Sequence, residues 1–270
     1  MSLALPLGRA GRPGAAALSS LPVFSTVLAA VGWALAATYA VVGSLGGAIL
    51  ISGALLSLLA FPLTVRSWNA QLARARLAPQ VDQLRRRFGK EPTRLARETA
   101  ELYRRHRISP LSGYLPALLP GPVYLAAYEV VRGLSHRRPG SGTFLPQYLP
   151  RSSRLLHALA SSTMMTFGGI DLARTGSAVL QASLGSALAY LILVGILVGA
   201  GVAQQRLVRR SQPAPTNPAA TSAQRLGSVI PVFFALAGLA LPAGVTLYYA
   251  AIAVVRLGQQ LVLLSLHPPV

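Results

Sequence analysis

Long apolar runs are the feature that most restricts how this chain can fold. Residues 44–65, 114–131, 179–202, 226–241 and 245–264 form five such runs, and residues 21–42 form a sixth. A helix of about 20 apolar residues crosses the hydrocarbon of a bilayer, and it satisfies its own backbone there. Charged residues make up only 11% of the chain, whereas soluble domains have about 25%. The sequence therefore predicts an all-α integral membrane protein.

The basic residues indicate which loops face the cytoplasm. The chain has 25 Lys and Arg against 6 Asp and Glu, and twelve of the basic residues lie between positions 66 and 108. The positive-inside rule places this loop in the cytoplasm, and the 203–225 linker, with four arginines, falls on the same side. The loop at 132–178 then lies outside although it holds six arginines and one aspartate. We attribute this exception to its length, because longer loops translocate with less regard to charge.

The cytoplasmic loop has a helical pattern of its own. Apolar residues recur at helical spacing on both sides of a break, at Leu77, Val81, Leu84 and Phe88 before it and at Leu95 and Leu102 after it. Gly89 and Pro92 form the break. This pattern predicts two amphipathic helices folded back as a hairpin under the membrane. The 211–224 linker is rich in Pro, Ser, Thr and Ala, which is typical of a flexible segment.

Two stretches resemble the YidC/Oxa membrane protein insertases. Residues 61–131 begin with FPLT and continue through the basic hairpin to LYRRHRISPLSGYLP, similar to the family pattern L-Y-x-x-x-x-x-N-P-L-x-G-x-x-P before its second span. Residues 230–263 contain PAGVTLYY and later QQ, similar to the turn and the end of the family's last two spans. Together these stretches cover about two fifths of the chain.

The resemblance implies a five-helix transmembrane bundle with a cytoplasmic helical hairpin and a peripheral outer helix. The expected segments are a disordered tail (1–20), a peripheral or extra membrane helix (21–43), spans (44–66, 109–132, 179–202, 226–241 and 245–264), the hairpin (67–108), an extracytoplasmic loop (133–178), a cytoplasmic linker (203–225) and a cytoplasmic tail (265–270). Composition leaves open whether residues 21–42 span the membrane. The short GSLGG connection favours the peripheral arrangement. Residues 1–20 also resemble an organellar transit peptide faintly, because they contain two arginines and no acid.

The resemblance also implies a function. In this family the helices enclose a hydrophilic groove that is open to the cytoplasm and to lipid. A polar segment of a nascent membrane protein enters the groove, and its hydrophobic helix moves into the bilayer. The expected partners are nascent membrane proteins, anionic lipids, and also the ribosome and a Sec-type translocon. The expected location is the bacterial plasma membrane, with the C-terminus in the cytoplasm.

Several positions depart from the family pattern. The family carries an arginine five residues before the P-L-T proline, and that position is Ser57 here. The asparagine before P-L is Ser109, and the glutamine of the second span falls on Pro120. These departures are typical of a divergent paralogue in which the usual groove chemistry has changed.

Candidate groove residues come from polar positions within the spans. They are Ser57, Thr64, Ser183, Ser186, Tyr190, Tyr249, Arg256 and Gln260. For the first span, the alternative is close packing through a small face that includes Gly53 and Ser57. For the serines, the alternative is hydrogen bonding to helix carbonyls. Candidate hairpin contacts are Arg85, Arg86, Arg87, Lys90 and Arg94.

Arg256 stands out because it interrupts the last apolar run. Tyr249, Arg256 and Gln260 lie at i, i+7 and i+11, which is one polar stripe on a helix. One interpretation is that Arg256 snorkels to the cytoplasmic headgroups. The other is that it supplies the positive charge of the groove in place of Ser57.

Catalytic signals are missing from the sequence. There is no cysteine, Lys90 is the sole lysine, and the four histidines have no metal spacing. No enzyme activity, cofactor, metal or small-molecule substrate is therefore expected. A secondary transporter is the main alternative, because polar residues within spans also serve transporters, but the internal repeats of such proteins are missing. A structural assembly factor for membrane complexes is another alternative.

Overall fold

The computed structural model describes residues 22–106, 121–140, 142–211 and 236–266. Several predicted segments lie wholly or mostly outside these residues: the 1–20 tail, the 203–225 linker, the 226–241 span and the 265–270 tail. The first half of the 109–132 span, including Ser109 and Pro120, also lies outside them.

The described residues form helices and one short β pair. The helices are α1 (Pro22–Val42), α2 (Leu45–Leu59), α3 (Phe61–Phe88), α4 (Pro92–Arg105), α5 (Gly121–Leu134), α6 (Arg154–Ala160), α7 (Gly176–Ala182), α8 (Leu184–Ser211) and α9 (Ala243–Leu266). Residues 236–240 are also helical. Strands β1 (Thr166–Phe167) and β2 (Ile170–Asp171) pair antiparallel. The mostly helical fold class is confirmed, with this β pair as an exception to the all-α prediction.

Three described helices are long and apolar enough to cross a membrane. They are Phe24–Val42, Leu184–Leu207 and Ala243–Leu266. Helix α2 and the start of α3, up to Ala70, make a fourth candidate if this pair, bent by 43°, forms one span. The predicted 109–132 and 226–241 spans are described only in part.

The first predicted span is broken where the sequence indicated a continuous run to residue 66. Helix α2 ends at Leu59, and α3 starts at Phe61 with Pro62 in its first turn. A proline fits the first turn of a helix but donates no backbone hydrogen bond to the turn before it. The chain therefore bends at Ala60. Helix α3 then continues without interruption to Phe88, so no break in the helix marks the predicted boundary between the span and the hairpin at residues 66 and 67.

The third predicted span is also broken near its start. Ser183 has an extended backbone (φ −161°, ψ 159°) and separates α7 from α8. Its hydroxyl accepts a hydrogen bond from the Ser186 amide at 3.2 Å, as an N-cap serine does. The long helix therefore begins at Leu184 rather than at Val179, and it ends at Ser211 rather than at Val202. Likewise, α9 begins at Ala243, two residues before the predicted start.

Helix α9 lies at the centre of the described bundle. It packs against α8 on one side and α2 on the other, and α5 contacts it as well. Its contact with α2 is close because Gly53 has no side chain: a Cβ there would lie 3.3 Å from Tyr248 Cδ2 and 3.4 Å from Ala251 Cβ. On α8, by contrast, a Cβ at Gly195 or Gly199 would have no described neighbour within 4 Å.

The loop that follows α5 is folded onto one end of the bundle. It contains an isolated bridge between Arg137 and Phe144, then α6 and the β pair. The backbone amides of Ala243 and Gly244, at the start of α9, donate to the carbonyls of Arg174 and Leu172. This end of the bundle is called the loop end below.

Helix α1 packs on α2, α5 and α6. Gly32, in the middle of α1, lies directly against the carbonyl of Tyr148 in the loop, where any side chain would clash. The last residue of α1 precedes a turn at Gly43, which has a positive φ of 71°. Gly46, just inside α2, lies against the ring of Phe167, also in the loop. Both the middle and the C-terminal end of α1 therefore lie at the loop end.

Candidate functional site

Arg256 lies near the middle of α9, about 20 Å from the Ala243 end and about 15 Å from the Leu266 end at 1.5 Å per residue. Its side chain is half-buried, and its guanidinium carbon lies 4.6 Å from the centroid of the Tyr124 ring on α5. A cation over an aromatic face gains from about 0.5 kcal/mol when exposed to about 2 kcal/mol when desolvated. The guanidinium is thus held between α9 and α5.

Tyrosines surround this contact. The Tyr249 ring centroid on α9 lies 6.3 Å from that of Tyr128 on α5 and 5.3 Å from that of Tyr248. Such tilted pairs are favourable beyond their buried area. Tyr124 and Tyr128 lie one turn apart on α5, so they present one face to α9.

Gln259 connects α9 to the broken end of α2. Its Nε2 atom donates a 2.9 Å hydrogen bond to the backbone carbonyl of Ser57. The last carbonyls of a helix have no donors from their own helix, and Gln259 supplies one across the interface. Gln259 is less than one turn from Arg256. The charge therefore lies level with the position where the family resemblance places an arginine.

Four buried polar side-chain atoms have no hydrogen-bond partner among the described residues. They are Ser57 Oγ, Trp68 Nε1, Tyr248 Oη and Gln260 Nε2. Burying a polar group without a partner costs roughly 1–3 kcal/mol by protein mutational data. These atoms come from α2, α3 and α9; α2 and α3 meet at the Ala60 break, and Gln259 of α9 bonds to α2 just before it.

The other predicted groove residues have protein partners. Thr64 Oγ1 donates to the carbonyl of Ala60, its own fourth neighbour, at 3.3 Å. Ser186 Oγ is 3.0 Å from the carbonyl of Ser183 and 2.9 Å from its hydroxyl. Tyr190 is fully buried, and its hydroxyl donates to the Gly238 carbonyl at 2.8 Å.

Tyr190, Ser183 and Ser186 lie at the loop end of the bundle. Tyr190 Oη is also 3.2 Å from Thr246 Oγ1, in the first turn of α9. Ser186 Oγ contacts the carbonyl of Val179 at 3.1 Å, on the other side of the Ser183 break. The structure therefore separates the eight predicted groove residues into a loop-end set of these three and a set in the interior, where Ser57, Thr64, Tyr249, Arg256 and Gln260 lie.

Two of the five predicted hairpin contacts lie over one aromatic ring. Arg87 and Arg94 place their guanidinium carbons 5.4 Å and 4.6 Å from the centroid of the Phe88 ring. Arg85 is 3.9 Å from Asp82 and Arg94 is 3.4 Å from Glu91. Arg86 and Lys90 are exposed. Further along α4, the hydrogen bond from Arg104 holds the pKa of Glu101 below its ordinary value.

An apolar cavity of about 320 Å³ lies between α1, α2 and α5. Leu35, Val131 and Tyr248 form part of its wall. Leu55 and Leu59, also on the wall, are 53% and 76% exposed, so the cavity continues onto an apolar surface.

Sequence reasoning missed the residues that position the arginine. Tyr124 and Tyr128 were absent from the prediction, although their i, i+4 spacing beside a charged Glu129 is a detectable signal. Trp68 and Tyr248 carry no pattern that separates them from core residues. They are distinguished only by buried polar atoms that lack a hydrogen-bond partner in the described ranges.

Residues 37–268 match the family model described as 60Kd inner membrane protein, which is well over half of the chain. The chain belongs to this family. Membership of the 60Kd inner membrane protein family confirms the YidC/Oxa resemblance. Together with the apolar helices, it makes the chain a multi-pass inner membrane protein.

Curated relatives within the 60Kd inner membrane protein family are longer than this chain. Membrane protein insertase YidC of Paracoccus denitrificans is 29% identical over 233 residues, which are 85% of this chain and 33% of that protein. The protein of the same name from Dechloromonas aromatica is 35% identical over 114 residues, 42% of this chain and 21% of its own length. Inner membrane ALBINO3-like protein 2, chloroplastic, of Chlamydomonas reinhardtii is 27% identical over 221 residues, 82% of this chain and 50% of that protein. The chain thus spans between a fifth and a half of these relatives.

Proposed function

We propose that this chain is a membrane protein insertase and chaperone. It takes polar segments of nascent membrane proteins into a cytoplasm-open groove between its helices and releases their hydrophobic helices into the bilayer. The relatives' name, Membrane protein insertase YidC, supports this. The observation that carries the proposal is Arg256, a half-buried charge in the middle of an apolar helix, level with Ser57. An ionisable group at that depth costs a few kcal/mol and is retained where a function needs it.

The interior set is the proposed groove lining, with Arg256 as its charge. A polar segment that enters hydrocarbon loses hydrogen bonds to water, at several kcal/mol for each unsatisfied group. Ser57 Oγ and Gln260 Nε2 are free to replace some of those bonds, since they have no described partner. Arg256 can attract an acidic residue of the segment, because Tyr124 holds its guanidinium without neutralising its charge.

Ser183, Ser186 and Tyr190 are proposed to close the groove at the outer end. Their hydroxyls are already bonded within the protein, so they offer little to a client. Burial of the client's apolar helix in lipid then drives release, and neither ATP nor bond chemistry is involved.

Helix α1 is proposed to lie along the outer face rather than to span the membrane. Its middle, at Gly32, and its C-terminal end, beside Gly46, both contact the loop that the charge rule places outside. In a helix that spans the membrane, the middle residue would lie about 15 Å from the outer end of the bundle. In the same topology, the α3–α4 hairpin and the C-terminus face the cytoplasm.

The test is insertion of a one-span client with an acidic tail into liposomes that contain the purified chain. We expect Arg256→Ala to reduce insertion at least tenfold, the equivalent of about 1.4 kcal/mol, and Arg256→Lys to retain part of it. Adding Ser57→Arg to Arg256→Ala should restore insertion. Arg206→Ala, which removes an exposed arginine from α8, is the matched control.

If Arg256→Ala leaves both insertion and stability unchanged, the assignment of the groove charge is wrong. Site-specific crosslinking from position 256 to a stalled nascent chain gives an independent reading. Crosslinks should form with the polar tail of the client and be missing when the photoreactive group is at position 261, because Leu261 is 51% exposed on another face of α9.

The hairpin is proposed to contact the ribosome, a Sec-type translocon or anionic lipid headgroups. Arginine suits contacts with phosphate because its guanidinium binds oxygens in pairs. Binding of ribosomes should weaken as salt is raised. It should be lost when Arg86, Arg87 and Lys90 are changed to glutamate, whereas a hairpin that contacts only lipid would leave ribosome binding unchanged.

A further inference from the structure

The loop end of the bundle carries exposed arginines beside exposed apolar side chains. Arg151 and Arg154 are exposed, and so is Arg138. Leu145 and Tyr148 are 47% and 37% exposed. In the same region Arg132 pairs with Glu129 and Arg174 pairs with Asp171. Arg151 and Arg154 have no acidic partner in the described part of the chain, so their charges are uncompensated there.

The apolar part of this surface is fixed to α1. Tyr148 has a φ of 66°, the one positive value for a residue other than glycine in the described ranges. Its carbonyl lies directly against Gly32, and its ring lies 3.4 Å from where a Cβ on Gly133 would be. Trp33 follows Gly32 and is 66% exposed. An indole and a phenol thus lie on neighbouring segments at one end of the bundle.

The arginines are attached to the same helix through the core. Arg154 begins α6, and Leu155 beside it is fully buried where α6 packs on α1. Arg151 precedes α6 by three residues, in the turn that the Ser153 amide closes onto the carbonyl of Pro150. The exposed residues of α1 itself are mostly alanine and valine, with Trp33 the large aromatic among them.

We propose that Trp33, Leu145, Tyr148, Arg151 and Arg154 form an outer-leaflet patch that binds the headgroups of anionic phospholipids. Tryptophan and tyrosine rings settle at the headgroup level of a bilayer. Arginines beside them reach the lipid phosphates, while their stems lie along apolar surface. A lipid surface suits this patch better than an acidic protein does, because the patch continues into the apolar face of α1.

This patch also accounts for part of the charge of the loop. A positively charged loop on the outer side opposes the positive-inside rule. Two arginines of the loop, Arg132 and Arg174, pair with acids. Two more, Arg151 and Arg154, would pair with lipid phosphates. The inference rests on the proposed topology, in which this loop lies outside, and is independent of the proposed insertase activity.

The experiment measures which lipid lies next to Trp33. The full chain is reconstituted in vesicles with a fixed mixture of phosphatidylglycerol and phosphatidylcholine, and bromine labels are placed either on the first lipid or on the second. Bromine quenches tryptophan fluorescence at short range, and the W33F protein gives the contribution of Trp68 for subtraction. We expect phosphatidylglycerol to be enriched about fivefold around Trp33 for each uncompensated arginine that contacts it. Enrichment should fall at high salt, because added ions screen exposed charges.

The double variant R151Q/R154Q should lower the local lipid composition to that of the whole vesicle. The matched control R86Q/R87Q removes two hairpin charges and should leave the enrichment unchanged. Equal quenching by the two labels in the unsubstituted chain would overturn the proposal, and so would enrichment that survives R151Q/R154Q. Loss of enrichment in both double variants would overturn it as well, because the effect would then come from net charge. The salt series needs no variant, and enrichment that persists unchanged at high salt would overturn the proposal even if R151Q/R154Q does not fold.

Discussion

Gln259 and Gln260 are neighbours on α9 with the same chemistry and nearly equal burial, at 7% and 6% exposed. They differ in one respect. The amide of Gln259 donates to the Ser57 carbonyl, whereas Nε2 of Gln260 has no partner among the described residues. Replacing Gln259 with leucine should therefore lower the stability of the chain, whereas replacing Gln260 should not.

The cost of Gln259→Leu follows from the bond that it removes. The Ser57 carbonyl lies in the last turn of α2 and would be left buried without this donor. An orphaned buried acceptor costs about 1–3 kcal/mol, and side-chain hydrogen bonds between membrane helices average about 0.6 with a maximum near 1.7 kcal/mol. The two ranges overlap, and we expect a loss of about 1–1.7 kcal/mol in unfolding free energy.

Gln260→Leu removes a buried donor that has no hydrogen-bond partner among the described residues. Replacing an unsatisfied polar group with an apolar one of similar size is neutral or stabilising. We expect the unfolding free energy to stay equal or rise by up to about 1 kcal/mol. If Gln260 lines the groove, insertion should nevertheless fall, so stability and activity would move in opposite directions.

Unfolding in mixed micelles, titrated with a denaturing detergent and followed by circular dichroism, measures both variants on one scale. Gln259→Asn is the matched control: it keeps the amide but shortens its reach, so it should lose most of the same free energy. The reasoning is refuted if Gln259→Leu is as stable as the unsubstituted chain, or if Gln260→Leu loses as much as Gln259→Leu.

Three further predictions use the same protein. Gly53→Leu should destabilise the chain by about 1–3 kcal/mol, because its new side chain meets Tyr248 and Ala251. Gly258→Leu should not destabilise the chain, because a Cβ at Gly258 would have no described neighbour within 4 Å. Equal midpoints of detergent unfolding for the two variants would contradict this prediction. Tyr190→Phe should lose about 1 kcal/mol with its bond to Gly238, and an unchanged thermal midpoint would argue against that bond. Arg104→Gln should raise the pKa of Glu101 toward its ordinary value, since the Arg104 hydrogen bond is the main cause of its lowering. The Arg104–Glu101 pair stabilises α4 fully at pH values above the ordinary pKa of glutamate. This stabilisation is lost as the pH falls through the lowered pKa of Glu101. A carboxyl carbon titration by NMR that shows no rise in Arg104→Gln would contradict this assignment.

Apolar length and charge predicted the helical class, because both are properties of single segments. They could not place the break at Ala60, since a proline in a first helical turn and a proline inside a helix look alike in sequence. Pro79 is within α3 without ending it. The stripe of Tyr249, Arg256 and Gln260 identified polar residues of one helix. What the polar residues of α9 contact depends on which helix lies opposite. The sequence does not show this, because Tyr124 and Ser57 are far from α9 along the chain.

The uninterrupted course of α3 has a mechanical consequence. This helix has 28 residues and begins at the bend beside Ala60, close to buried Trp68, yet it ends at the far tip of the basic hairpin. No loop separates its two ends, so α3 is one continuous helix about 42 Å long. Its weakest point is Pro79, because a proline inside a helix removes a backbone hydrogen bond. A rotation of about 5° at Ala60 displaces the tip by roughly 4 Å over that length. Because one continuous helix joins Phe88 to Trp68, a movement of the hairpin tip would turn the part of α3 that lies inside the bundle.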